Sequence, residues 1–299
     1  MTTLHPPPSD LLAELAAAGL DADAVVAAVD RALEEDLPGG SLDVTSAATI
    51  PPAAHGVADV AARDRGVVAG LGVAALVFHR VLGTEVSVTD RLADGTEVVA
   101  GDVVMRVSGP TGGLLTAERT ALNFACHLSG VATATAAWVE ALRGSRAQVL
   151  DTRKTIPGHR ALQKYAVRCG GGVNHRFSLS DLAMVKDNHV VAAGGVVPAY
   201  RAVRTRFPDV PVEVEVTDLD QLREMLAEGC ERILLDNMDT TTMAEAVAIT
   251  DGRATLEASG GLTLERAREV AATGVDFISV GALTHSVKVF DLGLDLTEQ

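Results

Sequence analysis

Two cations stand side by side in the stretch DTRKT, Arg153 and Lys154, directly after the apolar run AQVL. The segment RCGGGVNHRFSLSDLAMVKDNHV (168–190) adds Arg168, His175, Arg176, Lys186 and His189 beside three consecutive glycines. Guanidinium, ammonium and imidazole groups around a loop with little side-chain bulk suit hydrogen bonding to carboxylate or phosphate. The chain has 25 Lys and Arg residues, yet its lysines are only Lys154, Lys164, Lys186 and Lys288, three of them between 151 and 190. That window sets seven Lys and Arg against three Asp, a net of +4 within a chain of formal net charge −15. A solvated basic face would give the same count, so the weight falls on what surrounds these cations.

Carboxylates recur nearby in a patterned way. Glu213 and Glu215 are two apart in VPVEVEV, so on a strand both face one way while Val212, Val214 and Val216 face the other. Inward-facing carboxylates need partners: sugar hydroxyls, a metal such as Mg²⁺, or the nearby cations. An amphipathic edge strand is the alternative. Asp236 closes RILLDN, and EASGG places Ser259, Gly260 and Gly261 ahead of a helix, where backbone N–H groups suit a phosphate. VGAL brings Val280, Gly281 and Ala282 to the end of the next strand. No zinc spacing, GxGxxG, Walker A or nucleophile-elbow pattern is present.

These residues must be held by strands. From about residue 145 the runs AQVLDTR, LAMVKDN, VPVEVEV, RILLDN, ATLEASGG and FISVGAL alternate with helical stretches such as LTLERAREVAATG. That is the signature of parallel βα units. Six strands are too few for a complete eight-stranded barrel, so an open one is expected. In each run the polar residues come at the C-terminal end, the end that carries the site in βα barrels. Before them, DADAVVAAVDRALEED and LGVAALVFHRVLG read as helices, with two strands expected around the RDRG turn and period-two strands in EVSVTDRLADGTEVVAGDVVMRVSG. That last segment is similar to the hammerhead of lipoyl and biotinyl carriers, but no lysine precedes Lys154 to carry a cofactor. LLTAERTALNFACHL reads as a helix with Arg119 in its first turn, where a cation opposes the macrodipole.

The bulk numbers set bounds. At 299 residues, 47% apolar and 22% charged, the chain can bury one large core or two ordinary ones. Its negative balance argues against nucleic acid and anionic membranes as partners. The start has no basic n-region, and the longest apolar run, 66–78, is too short to span a bilayer. Cys126, Cys169 and Cys230 form no CxxC pair and read as reduced thiols of a cytoplasmic protein.

Several long motifs carry a family resemblance. TAERTALNFACHLSGVATATAAWVEALRG, DTRKTIPGHRALQKYAVRCGGGVNHRFSLSD, KDNHV, EVEV, LLDN, EASGGLTLE and VGALTHS resemble the quinolinate phosphoribosyltransferases, the decarboxylating nicotinate-nucleotide pyrophosphorylases. The resemblance runs from about residue 25 to the end, and the lead-in before about residue 20 is peculiar to this chain. It implies an N-terminal α/β sandwich domain (1–128, with 286–299 folding back onto it) and a C-terminal open, incomplete TIM-like α/β barrel (129–285). It implies a homodimer in which Arg119 reaches the partner's site. Arg153, His175, Arg176 and Lys186 then match the positions that hold the two quinolinate carboxylates. Lys154 and Lys186 match contacts to 5-phosphoribosyl 1-diphosphate, Thr152 is a further substrate-binding position, and Glu215 and Asp236 match the ribose and metal side. Ser259, Gly260, Gly261, Val280, Gly281 and Ala282 match the grip on the 5-phosphate. Lys154, Glu215 and Asp236 are the implied catalytic groups, with Mg²⁺ bound mainly through the phosphoribosyl diphosphate. The implied reaction yields nicotinate mononucleotide, diphosphate and CO₂ for NAD biosynthesis. Three other readings stay open: a sibling transferase for another heterocyclic acid, an aldolase using Lys186 as a Schiff base, and a non-catalytic sensor of a phosphorylated metabolite.

Overall fold

A computed structural model describes residues 3–297, which fall into two compact units. Unit 1 takes the chain up to Ala134, Ile156–Gly171 and the chain from Ser286. Unit 2 takes Thr135–Thr155 and Gly172–His285. The segment 156–171 thus clusters with the first unit, whereas the sequence reading kept it with the barrel. Its helix Arg160–Cys169 explains this: Tyr165 donates its hydroxyl proton to Asp94 at 2.7 Å, and Arg168 donates to the carbonyl of Ala18 at 2.6 Å.

Unit 1 holds the strands β1 (His55–Ala62), β2 (Gly66–Val67), β3 (Ser87–Thr89), β4 (Glu97–Val98) and β5 (Val103–Pro110). The sheet order is β12-β1-β5-β3, where β12 is the late strand Leu292–Thr297. The β12–β1 pair is antiparallel, with Val60 opposite Leu294. The helix Leu71–Leu82 is apolar on nearly every face, and Leu71, Leu76 and Phe78 are fully buried. Such side chains each contribute about 1.5–3 kcal/mol by leaving water. Asp94 caps this helix by accepting from the amides of Gly70 and Leu71 at 2.8 and 3.0 Å.

The helix around Arg119 departs from expectation. It spans Thr111–Ala141, so Arg119 is its ninth residue and not part of the first turn. The glycines at 112 and 113 masked the true start, since glycine is a poor helix former. The argument from the macrodipole therefore falls away.

Unit 2 holds β6 (Gln148–Leu150), β7 (Ala183–Val185), β8 (Val212–Val216), β9 (Arg232–Asp236), β10 (Thr255–Ser259) and β11 (Phe277–Ser279). All pairings are parallel, in the order β6-β11-β10-β9-β8-β7, which is an open barrel-type sheet. Val214, Ile233, Leu235, Ala258 and Ile278 are fully buried, as expected for strands covered on both faces. The helices after β8 and β9 start at aspartate caps: Asp218 accepts from the amide of Gln221 at 2.8 Å and Asp239 from Thr242 at 2.7 Å. Register sets the next layer: Ser259 stands beside Asp236, and Glu215 beside Leu234.

The three thiols are unpaired, with Cys126 and Cys230 buried. Among the described residues no helix is long and apolar enough to cross a membrane.

Candidate active site

The C-terminal ends of the unit 2 strands surround a cleft of about 310 Å³. Thr152, Arg153 and Lys154 follow β6, and Lys186 follows β7. His175 and Arg176 come from the loop after Val173, which bridges to Leu150. Ser259 ends β10. Seven of the residues singled out from sequence therefore line one hollow, and five of these carry a basic side chain.

The loop that bears His175 and Arg176 is tied down locally. Asp151, fully buried, accepts from the amide of His175 at 2.9 Å and from the Asn174 side chain at 2.6 Å. Arg176 donates through Nη1 to the carbonyl of Leu182 at 2.9 Å. Beyond it, Asp181 folds the 177–181 turn by accepting from the amides of Phe177 and Ser178 at 2.7 and 3.0 Å.

The electrostatics favour an anion. Burial pushes Arg176 below the ordinary arginine value, and the charge of Arg153 pushes it the same way. Two guanidiniums held together in this way are relieved by a negative ligand. Arg153 Nε is buried and has no hydrogen-bond acceptor among the described residues.

His175 is held differently from the arginines and lysines. Its Nε2 lies 2.7 Å from Glu213 Oε2, and its Nδ1 accepts the Arg176 amide at 2.7 Å. Burial pulls the imidazole downward, but the hydrogen bonds to Glu213 and Glu257 outweigh it and pull upward. Against that pull stands the Arg176 amide: a second proton on Nδ1 would have to break its bond. The geometry is that of the neutral imidazole with its proton on Nε2.

Other nominated residues lie around the cleft without lining it. Glu215 Oε2 accepts from Lys186 Nζ at 2.9 Å. Asp236 accepts from the Asn237 side chain at 2.9 Å, and the Asn237 amide donates to the carbonyl of Ser259 at 2.9 Å. Gly260 has φ +101°, and a side chain there would strike Asn237. The Val280 amide donates to the carbonyl of Leu150 at 2.9 Å. Gly281 is hemmed in, since a Cβ would lie 2.9 Å from Lys154 Cδ. Ala282 starts the short helix Ala282–His285, and Thr284 donates to the carbonyl of Lys154 at 2.8 Å. Arg119 is exposed and lines a separate cavity of unit 1 with Arg63, His127 and Lys288.

Sequence reasoning nominated neither Met184, Leu234 nor Ser279, and marked Glu257 only as a polar residue closing its strand without a role; all four line the cleft. The signal was available. Each lies two residues before a nominated strand-end residue (Lys186, Asp236, Ser259 and Gly281), and period two puts such pairs on one face.

Comparison with known proteins agrees with this geometry. Residues 43–129 match the family description "Quinolinate phosphoribosyl transferase, N-terminal domain" and residues 131–295 match "Quinolinate phosphoribosyl transferase, C-terminal domain". The chain is 53% identical over 278 residues to the nicotinate-nucleotide pyrophosphorylase [carboxylating] of Mycobacterium leprae, covering 92% of this chain and 98% of that one. It is 41% identical to the probable enzyme of that name from Bacillus subtilis, covering 80% and 83%. The solved nicotinate-nucleotide pyrophosphorylase of Francisella tularensis superposes with a TM-score of 0.88 at 38% identity, covering 93% and 98%. Two family domains in the right order, spanning nearly the whole chain, place this protein in the quinolinate phosphoribosyl transferase family.

Proposed function

We propose that this chain transfers the phosphoribosyl group of 5-phosphoribosyl 1-diphosphate to the ring nitrogen of quinolinate. CO₂ is lost, and nicotinate mononucleotide and diphosphate are released for NAD biosynthesis. One observation carries the reading: four permanent cations, Arg153, Lys154, Arg176 and Lys186, converge on a single cleft in a strongly acidic chain. Quinolinate and phosphoribosyl diphosphate are both multiply charged anions, and the cleft volume falls in the ~300–1,000 Å³ range of small-molecule sites.

The residues fit the steps. Arg153, Arg176 and Lys186 hold the two carboxylates, while His175, expected to join them, has both ring nitrogens engaged by Glu213 and the Arg176 amide and supports them from beneath; Thr152 and Lys154 face the diphosphate. Departure of diphosphate leaves positive charge on the ribose, as in glycoside cleavage. The carboxylates of Glu215 and Asp236 stabilise that charge, and Lys154 offsets the charge of the leaving group. Ser259, Gly260, Gly261, Val280, Gly281 and Ala282 seat the 5-phosphate. The new pyridinium then withdraws electrons from the adjacent carbon, which eases loss of CO₂. No covalent nucleophile is needed.

The donors suit Mg²⁺. Glu215 and Asp236 offer hard carboxylate oxygens at the ends of β8 and β9, which would hold the ion together with oxygens of the phosphoribosyl diphosphate. Bound there, the ion supplies positive charge against the diphosphate oxygens. His175, Glu213 and Glu257 also gather within 4.8 Å of one another, but the hydrogen bond between His175 and Glu213 already occupies that space.

The active assembly is a homodimer in which the exposed Arg119 enters the partner's cleft, and the enzyme works in the cytoplasm. A sibling transferase for a monocarboxylate would need fewer cations than this cleft holds. Release of CO₂ and diphosphate from quinolinate plus phosphoribosyl diphosphate tests the function. Equal turnover of nicotinate would favour the sibling reading.

A further inference from the structure

Beneath the cleft lies a buried group that the proposed chemistry does not use. The side chains of His175, Glu213 and Glu257 are 5%, 2% and 3% exposed. They come from three separate elements: the loop after Val173, β8 and β10. Carboxylates under an anion site repel its ligand, so their presence needs a reason.

A neutral imidazole has one donor and one acceptor nitrogen. Glu213 accepts at 2.7 Å from Nε2 and so fixes the proton there. That leaves the Nδ1 lone pair to receive the Arg176 amide at 2.7 Å. The opposite tautomer would set the Nδ1 hydrogen against the amide hydrogen and displace the main chain at 175–176. Arg176 needs such an anchor, because Arg153 repels it across the cleft. Glu257 closes the floor, with Oε2 3.3 Å from His175 Nε2. Its burial, reinforced by the charge of Glu213, pushes its carboxyl above the usual glutamate range, which disfavours a second negative charge there.

We propose that Glu213 and Glu257 are positioning residues that fix the tautomer of His175 and through it the placement of Arg176. They thereby set the cleft's preference for an acceptor with two adjacent carboxylates over one with a single carboxylate. This inference rests on the transferase reading above and names a determinant of its acceptor specificity.

The test uses the full-length protein and the variants Glu213→Ala, Glu257→Ala and Glu257→Gln. Steady-state kinetics should show KM for quinolinate rising about tenfold or more in Glu213→Ala, the scale of a lost buried hydrogen bond to a charged group. KM for phosphoribosyl diphosphate should move by less than about twofold. The inhibition constant of nicotinate should stay put, narrowing the gap between the two acids. Long-range ¹H–¹⁵N NMR, with the His175 signal assigned by its loss in His175→Asn, should show the Nε2–H tautomer in wild type and its loss in Glu213→Ala. Glu257→Gln, neutral and of the same shape, should recover most of what Glu257→Ala loses. Equal rises in both KM values, an unchanged tautomer, or loss of cooperative melting in all three variants would overturn the proposal. Wild-type protein without quinolinate turnover would remove the transferase reading and this inference with it. An active wild type with kinetically indistinguishable variants would remove this inference alone.

Discussion

Lys186 Nζ donates to Glu215 Oε2 at 2.9 Å, joining the residue after β7 to the last inward-facing residue of β8. Glu215 is nearly buried, at 9% side-chain exposure, while Lys186 keeps 45%. The pair thus joins a cation that can still turn toward a ligand to a carboxylate that cannot leave. Lys186→Met should remove the ligand contact and strand the Glu215 charge. We expect kcat/KM to fall by about 10²-fold, or ~2.7 kcal/mol, in steady-state assays. Trapping with borohydride and a carbonyl substrate should leave Lys186 unmodified, and a stable adduct would revive the aldolase reading.

Arg153→Ala should cost quinolinate binding in the transition state by about 2–3 kcal/mol, the scale of a charge-assisted bidentate contact. Arg153→Lys should recover little, because an ammonium lacks the planar fork. A near-normal kcat/KM for quinolinate in Arg153→Ala would contradict its assignment.

Arg119→Ala should give inactive homodimers if the residue serves the partner's cleft. Mixed with Arg153→Ala protein, it should regain roughly a quarter of wild-type activity. Random pairing makes about half the dimers mixed, and each mixed dimer keeps one intact site. No recovery after subunit exchange would count against a shared site.

Gly281→Ala places a Cβ 2.9 Å from Lys154 Cδ and 3.2 Å from His285 Nε2. Lys154 must then swing aside, so kcat should drop while the melting temperature changes little. Calorimetry beside kinetics separates the two effects, and a kcat within about twofold of wild type would show that Lys154 is not held by this close approach.

Asp181 governs the turn that follows Arg176. Burial nudges its carboxyl upward, but hydrogen bonds from the Phe177 and Ser178 amides and the Ser178 hydroxyl prevail and bring it down to about 2. A depressed carboxyl lends stability that is full above the ordinary aspartate value of ~3.9 and fades as pH falls toward the folded value. Asp181→Asn should therefore melt below wild type at neutral pH, with the gap closing between about pH 4 and pH 2. Melting curves that diverge on acidification would have the wrong sign.

The six parallel strands were legible because each is a short apolar run closed by polar residues, and the structure keeps all six in one sheet. The cleft was legible wherever a charged group stood at a strand end, as with Arg153 and Lys186. Glu257 was noticed as a strand-end carboxylate but given no role, because a single carboxylate in TLEAS does not announce which way it faces; only its spacing from Ser259 does. Arg119 was placed in the wrong turn because two glycines concealed the start of a long helix. The contacts of 156–171 could not be read, since they run to Asp94 and Ala18, more than sixty positions away in the chain.

The antiparallel sheet of unit 1 takes its outer strand from the far end of the chain, with Leu292–Thr297 laid against His55–Ala62. On the ribosome, the first strands must wait while more than two hundred further residues are made before that edge is sealed. An unsealed edge of this kind pairs readily with other chains. Nascent or truncated forms that stop before Leu292 should thus be the aggregation-prone species.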